Sequence, residues 1–161
     1  MTAALLVTPI AATAPVTAHT VPAALTVQTA TPLGLTNDRL LPGQRLASGE
    51  SLTVPDTRSP EDKGGFVSLE MLPKGNLLIE AWIPPGHGSS QRWNSGTDGN
   101  PGARVEMQLD GNLVIYSVTD KPLWDSKTSG HPGAYVVLQG DRNLVMHDVT
   151  GNVIWATNSN D

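Results

Sequence analysis

Gln108, Asp110, Asn112, Val114 and Tyr116 fall at every second position of one short stretch, and the residues between and just before them are mostly apolar: Val105, Met107, Leu109, Leu113 and Ile115. A period of two is the mark of extended chain with one wet and one dry face, and Asp110-Gly111 in its middle reads as a tight reversal, so the stretch predicts a hairpin. Parity then constrains the turn. A two-residue turn over Asp110 and Gly111 would set Leu113 opposite Gln108 and mix polar with apolar side chains on each face. An odd connection, most simply the three residues Asp110 to Asn112 with a bulge at Gly111, keeps the five alternate residues together and leaves the other face, Leu109 included, as core.

The face so defined carries two amides, a carboxylate, a small apolar patch and a phenol. Asp110 only accepts hydrogen bonds, Gln108 and Asn112 donate and accept, and Tyr116 does either. Adjacent sugar hydroxyls also donate and accept, and the ring CH groups between them match Val114, so the face suits a small neutral polyol. A phosphate would call for cations or clustered backbone N–H groups, and none is concentrated here. For a single copy, solvated residues on the outside of a hairpin would be the better account.

The pattern is not single. Gln139, Asp141, Asn143, Val145 and His147 repeat it downstream, and Leu72-Pro73-Lys74-Gly75-Asn76-Leu77-Leu78-Ile79-Glu80 is a degenerate copy upstream. Asn112 and Asn143 are 31 positions apart (143 − 112), and Asn76 and Asn112 are 36 apart (112 − 76). Trp93, Trp124 and Trp155 keep step at intervals of 31, each followed by small residues. The chain holds three copies of one unit.

The motif Gln-x-Asp-x-Asn-x-Val-x-Tyr, repeated with a Trp after each copy, resembles the bulb-type, or monocot mannose-binding, lectins, and the opening Leu41-Pro42-Gly43-Gln44-Arg45-Leu46 is similar to that family's first strands. The resemblance covers residues 37–161 and implies a β-prism II of three antiparallel sheets about a pseudo-threefold axis, with a mannose site on each sheet. It further implies that Asp110 and Asn112 hold the axial 2-hydroxyl, Gln108 the 3-hydroxyl and Tyr116 the 4-hydroxyl, with Val114 against the ring carbons. The third copy keeps Gln139, Asp141, Asn143 and Val145 but has His147 for the phenol, which predicts a weakened, pH-dependent site. The first keeps only Asn76 and the conservative Leu78. Lys74 and Glu80, free to pair with each other or to be solvated, replace carboxylate and phenol, so no mannose is expected there.

The 161 residues fit one domain plus a tail, and a net charge of −5 with pI near 5.2 leaves no footprint for nucleic acid or an anionic membrane. No cysteine is present, so neither disulfide nor thiolate chemistry is available. Plant members of the family commonly carry a disulfide near the first hairpins, and its absence leans toward a bacterial member. Residues 1–36 contain no Lys, Arg, Asp or Glu and are rich in Ala, Thr, Val and Pro. They read as a signal-peptide-like or disordered leader and linker, with Ala12-Thr13-Ala14 resembling a cleavage site but without a basic start; a secreted or cell-surface protein is the expectation, with no membrane insertion.

Within residues 37–161 no sustained helical periodicity occurs, whereas alternation and glycine punctuation recur, so the domain is expected to be all-β. Phe66 to Met71 is predicted as a strand, and the five-residue excess of the first spacing is assigned to a turn-rich insertion at Ile83–Ser90. The evenly spaced tryptophans are expected together near the axis as core, with Trp82 exposed. Enzymatic function is not expected: His19, His87, His131 and His147 show no metal-binding spacing, no nucleophile turn or phosphate loop occurs, and Asp110 and Asp141 lie on different units rather than flanking one bond. No cofactor or metal is implied. A site holding one sugar through neutral hydrogen bonds of roughly 1 kcal/mol each binds in about the millimolar range, so affinity must come from several sites or a homodimer. Three functions fit: a secreted mannose-binding lectin, first; a lectin-like bacteriocin or toxin; and a prism-fold interaction module with lapsed sugar sites.

Overall fold

The computed structural model describes residues 38–59, 64–83 and 88–161. The expected leader at 1–36 lies outside the described residues. Among them there is no helix, and the strands are β1 (Arg39–Leu40), β2 (Arg45–Leu46), β3 (Ser51–Pro55), β4 (Phe66–Met71), β5 (Leu77–Trp82), β6 (Ser89–Asn94), β7 (Arg104–Met107), β8 (Leu113–Tyr116), β9 (Pro122–Asp125), β10 (Tyr135–Leu138), β11 (Leu144–His147) and β12 (Val153–Ala156).

Each repeat supplies three consecutive antiparallel strands, and each resulting sheet takes a fourth from the opening segment. β3 joins β4-β5-β6 of the first unit, β2 joins β7-β8-β9 of the second, and β1 joins β10-β11-β12 of the third. The opening segment therefore stitches the three units together, and Arg39 paired with Val137 closes the ring between its two ends.

The dry faces build the core in layers, with equivalent residues from each unit. Equivalent residues of the three units are Leu69, Val105 and Val136, paired across their hairpins with Ile79, Ile115 and Met146, and Met71, Met107 and Leu138, paired with Leu77, Leu113 and Leu144; all twelve are at most 1% exposed. Alternation put these residues on one face of each hairpin, and the repeat spacing put equivalent residues at one depth. Leu40, Leu46 and Leu52 of the three donated strands are buried with them.

Trp93, Trp124 and Trp155 meet one another edge to face, with ring centroids 5.6, 5.8 and 6.4 Å apart. They are half-buried and pack against the aliphatic layers. A β-bulge in each unit aims them. Ile115 pairs with Trp124 but Tyr116 with Pro122, so Leu123 is the extra residue, and the same shift recurs between Ile79 and Glu80 and between Met146 and His147. A bulge lets two successive side chains turn the same way, and Leu123 with Trp124, like Ile154 with Trp155, both pack against the core. In the first unit the extra residue is Arg92. Burial pulls its guanidinium below the usual value, assisted by the positive charge of Arg142, and its Nη1 donates to the main-chain oxygen of Asp161 at 3.1 Å.

The hairpin connection is odd, as parity requires, but lies one residue earlier than expected. Met107 pairs with Leu113, the Gln108 N–H donates to the Asn112 carbonyl at 2.9 Å, and the loop is Leu109 to Gly111. The left-handed residue closes a three-residue loop, and Gly111 takes that place with φ 91°. Leu109 consequently leaves the dry face for the loop and is 71% exposed rather than core. A side chain at Gly75 or Gly111 would run into the carbonyl of Asn100 or His131 of the following loop. In the third unit the place is open, and Arg142 occupies it at φ 77°.

Arg142 uses that opening to reach the first unit. Its Nε and Nη2 donate to Asp56, just past β3, at 3.1 and 2.9 Å, with the Asp56 side chain fully buried and that of Arg142 10% exposed. Gly140 packs against Pro55 and Thr57 on either side of Asp56, its carbonyl accepting the Thr57 N–H at 2.9 Å.

The five-residue excess of the first unit is placed differently from the expectation. β5 and β6 are each six residues long where β8 and β9 have four, so four of the extra residues lengthen strands and only one lengthens the connection. Ser89 and Ser90 belong to β6, while residues 84–87 of the expected insertion lie outside the described residues.

Removing one partner of a buried ion pair strands the other charge, so Asp56→Ala should destabilise the protein by about 3–5 kcal/mol in urea unfolding. The exposed Lys74–Asp98 pair at 3.1 Å should contribute less than about 1 kcal/mol when Lys74 is replaced by Ala. Equal effects of the two substitutions would contradict this account of ring closure.

Candidate functional site

Each asparagine of the repeated motif is buried, and each is held in the same way. Asn112 Oδ1 accepts the Ser126 hydroxyl at 3.0 Å and the Thr128 N–H at 3.1 Å; Ser126 Oγ in turn accepts the Leu113 N–H, and the Thr128 hydroxyl donates to the Gly111 carbonyl. Asn76 with Ser95 and Thr97 repeats the arrangement in the first unit, and Asn143 with Thr157 and Ser159 in the third. The knot ties the hairpin turn to the segment following each tryptophan. It explains why Asn76 stands where the rest of the first motif has gone: its amide oxygen holds the fold, with or without a ligand. The hydroxyl residues two and four positions after each tryptophan carry this role, where the sequence shows only that small residues follow each tryptophan.

With the oxygen of Asn112 engaged internally, its Nδ2 group faces the site, where one N–H donates to Asp125 Oδ2 at 3.1 Å and the second N–H of the amide remains. Gln108, Asn112, Val114 and Tyr116 line one open depression of about 390 Å³, together with Asp125 and Lys127 from the end of β9. Gln108 Nε2 donates to the Tyr116 hydroxyl at 2.7 Å, and the Arg104 guanidinium lies over the Tyr116 ring, 5.1 Å from its centroid, so both polar tips are positioned. Val114, only 3% exposed, forms the floor.

Asp110 is not among the residues lining this depression. It sits on the exposed turn, where Oδ1 accepts the Asn112 N–H at 3.0 Å and Oδ2 accepts the Ser129 hydroxyl at 2.8 Å. The reason is the one-residue shift of the loop: Asp110 is the central turn residue, and its carboxylate caps the turn. The sequence had suggested five converging side chains; the geometry brings four together and leaves the fifth at the turn beside them.

Asp125 and Lys127 were missed in the sequence because they belong to the strand and turn after the motif. Lys127 Nζ lies 2.7 Å from Asp125 Oδ1, and this bond, with that from Asn112, holds the Asp125 carboxyl below the ordinary carboxylate range.

In the third unit Asp141 Oδ1 accepts the Asn143 N–H at 3.1 Å, as in the second. Val145 is 4% exposed, and Ala156 replaces the carboxylate found at 125. His147 stacks on Tyr135, centroids 5.5 Å apart, with Nδ1 3.1 Å from the Gly151 carbonyl, an arrangement in which Nδ1–H donates. Gln139 and Asp141 line a separate depression, bounded by Asp38, Pro55 and Thr57, which does not include Asn143, Val145 or His147. The third hairpin keeps the backbone arrangement of the second, with the Gln139 N–H donating to the Asn143 carbonyl at 2.8 Å, but lacks the phenol and the carboxylate of the second unit. In the first unit Leu78 is half-buried, Lys74 pairs with Asp98, and Glu80 accepts hydrogen bonds from Ser89 and Trp82, so Lys74 and Glu80 are not paired with each other.

No protein-family model and no curated protein sequence matches the chain. Solved structures do. A monomeric monocot mannose-binding lectin from Gastrodia elata is 34% identical, over 77% of this chain and 99% of that one, with a TM-score of 0.58. The Polygonatum cyrtonema lectin is 31% identical over 76% and 96%, with a TM-score of 0.54, and the mannose-specific agglutinin of snowdrop, Galanthus nivalis, 30% over 76% and 96%, with a TM-score of 0.55. The chain belongs to the bulb-type, monocot mannose-binding lectin family and has its β-prism II fold. It is a lectin, a non-enzymatic carbohydrate-binding protein. The expectation of a bacterial source draws no support from these neighbours.

Two outcomes follow. Asn76→Ala, in the unit without a complete motif, should destabilise the protein by about 1–3 kcal/mol in urea unfolding, because buried donors lose their acceptor; an unchanged midpoint would refute the structural role. The partners of Asp125 favour its charged form, so their contribution is present above an ordinary carboxylate pKa of about 3.9 and is lost as pH falls through the lower folded-state value. A carbon-13 NMR titration of the Asp125 carboxyl should give a midpoint below that of a free aspartate, and a midpoint at or above it would contradict the geometry.

Proposed function

We propose that the second unit binds mannose, or the terminal mannose of a glycan, in the depression lined by Gln108, Asn112, Val114 and Tyr116. The observation that carries the reading is the convergence of two amides and a phenol over an apolar floor, with one Asn112 N–H still to donate. The Gln108–Tyr116 bond leaves the second amide hydrogen and the Gln108 carbonyl for neighbouring hydroxyls. Asp110 acts from the turn beside the depression: its two internal bonds leave acceptor positions on the carboxylate. Neighbours from Polygonatum cyrtonema and snowdrop were solved with a monomannoside and with methyl-α-D-mannoside, which supports the choice of sugar.

The third unit is proposed as a weaker site, since His147 replaces the phenol and stacks on Tyr135, and Ala156 stands where the second unit has Asp125. The first unit, with Asn76 engaged in the fold and only Leu78 beside it, is proposed not to bind mannose. The chain is read as a secreted or cell-surface lectin with its domain at 37–161 behind a 36-residue leader, and as gaining avidity from its two unequal sites or from a homodimer.

Titration of methyl-α-D-mannoside by calorimetry should give a dissociation constant in about the millimolar range, as expected of a few net hydrogen bonds. Gln108→Ala combined with Tyr116→Ala, which leaves the buried asparagine knot intact, should abolish retention on a mannose column, whereas Lys74→Ala should leave it unchanged. Retention that survives the double substitution at full strength would refute the assignment to the second unit, and growth inhibition of bacteria by the intact protein would favour the toxin reading.

A further inference from the structure

The first sheet carries an aromatic feature that the other two lack. Phe66 and Trp82 are cross-strand partners at the far end of the β4–β5 pair, their rings parallel within 5° and their centroids 6.0 Å apart. Both are on the outward face, Phe66 36% and Trp82 42% exposed. Among the described residues the core has its own three tryptophans, and the corresponding hairpins of the other sheets end two residues earlier. Trp82 exists on a strand only because β5 and β6 are longer.

Polar groups hold and border this surface. Trp82 Nε1 donates to Glu80 Oε2 at 3.2 Å, and Ser89 Oγ donates to Glu80 Oε1 at 2.5 Å, so the indole is held by its neighbour across two residues of the same strand. Gln91, exposed, lies directly across from Glu80. Glu80 has used two of its roughly four acceptor positions, and Gln91 offers both a donor and an acceptor. A pinned ring beside unused polar groups loses little freedom when it binds.

We propose that this face is a second carbohydrate site of a different kind, one that stacks a pyranose with all-equatorial hydroxyls on Trp82 and Phe66 while Glu80 and Gln91 take the hydroxyls at its edge. Such a ring, as in a β-1,4-linked glucan, presents axial C–H groups on both faces. Weakly positive C–H groups match the negative face of an indole, and the equatorial hydroxyls point sideways toward the polar rim. Mannose fits less well, because its axial 2-hydroxyl interrupts one face. Two rings are also far smaller than the roughly 800 Å² per partner of a standard protein interface. The site goes beyond the mannose reading and does not depend on it.

The test is titration of the full chain with cellotetraose, read by tryptophan fluorescence and by calorimetry, in the wild type, in Trp82→Ala, in Gln91→Ala and in a Gln108→Ala/Tyr116→Ala double variant, which alters the mannose depression without touching the buried asparagine knot. Saturable binding is expected in the wild type and, with the same midpoint, in the double variant. Trp82→Ala should weaken it at least ~10-fold and Gln91→Ala, an exposed and fold-neutral change, about threefold, while methyl-α-D-mannoside binding and the near-ultraviolet dichroism of the three core tryptophans persist. Absence of saturable cellotetraose binding in the wild type, undiminished binding in Trp82→Ala, or its loss in the double variant would each overturn the proposal. Failure of the mannose arm alone would leave it standing.

Discussion

Everything in this protein is hung on the meeting of Trp93, Trp124 and Trp155. Edge-to-face contact at 5.6 to 6.4 Å requires three copies of one hairpin to approach at one depth and with one hand. Once that is met, each aliphatic layer receives equivalent side chains from each unit, and the wet faces are forced outward in three directions. The bulge in each last strand is what lets an indole and its preceding neighbour both turn inward. Arg92, placed where the other units have Leu123 and Ile154, shows the cost of departing from the rule: a cation drawn into partial burial and tied to the main chain of Asp161.

The nine-position motif divides between two tasks. Its asparagine holds the turn to the following loop in all three units, so its presence marks the fold rather than a ligand. Gln108, Val114 and Tyr116 have no such duty, and their positions on the second sheet are those that vary freely on the first. A sheet can therefore keep its place in the prism while the rest of its motif changes, as the first unit does with Leu72, Lys74 and Glu80.

Much of the fold was legible because periodicity and spacing are properties of the chain itself. The alternation around residue 108 fixed which side chains of β7 and β8 face inward, the 31-residue interval of the tryptophans fixed their meeting, and the run Phe66–Met71 emerged as β4 with the same bounds. The loop position was not legible to one residue, since parity distinguishes odd from even connections but not where an odd one begins. That single step moved Leu109 into solvent and Asp110 to the turn. The distribution of β1, β2 and β3 over three sheets, and the Asp56–Arg142 pair joining residues 86 apart, depend on ring closure, which no local pattern encodes. Asp125 and Lys127 of the site were hidden for the same reason: they reach it from β9 across the sheet.

The central claim is that the wet face of the second unit is where sugar is bound. Its most direct test is a nitrogen-15 NMR titration of the full chain with methyl-α-D-mannoside up to about 20 mM, well past a millimolar dissociation constant. The account predicts saturable shifts at the side-chain amides of Gln108 and Asn112 and at the backbone of Val114 and Tyr116, with little change at Asn76 and Leu78. Saturable shifts that avoid residues 108–116, or none at any of the three units, would contradict it.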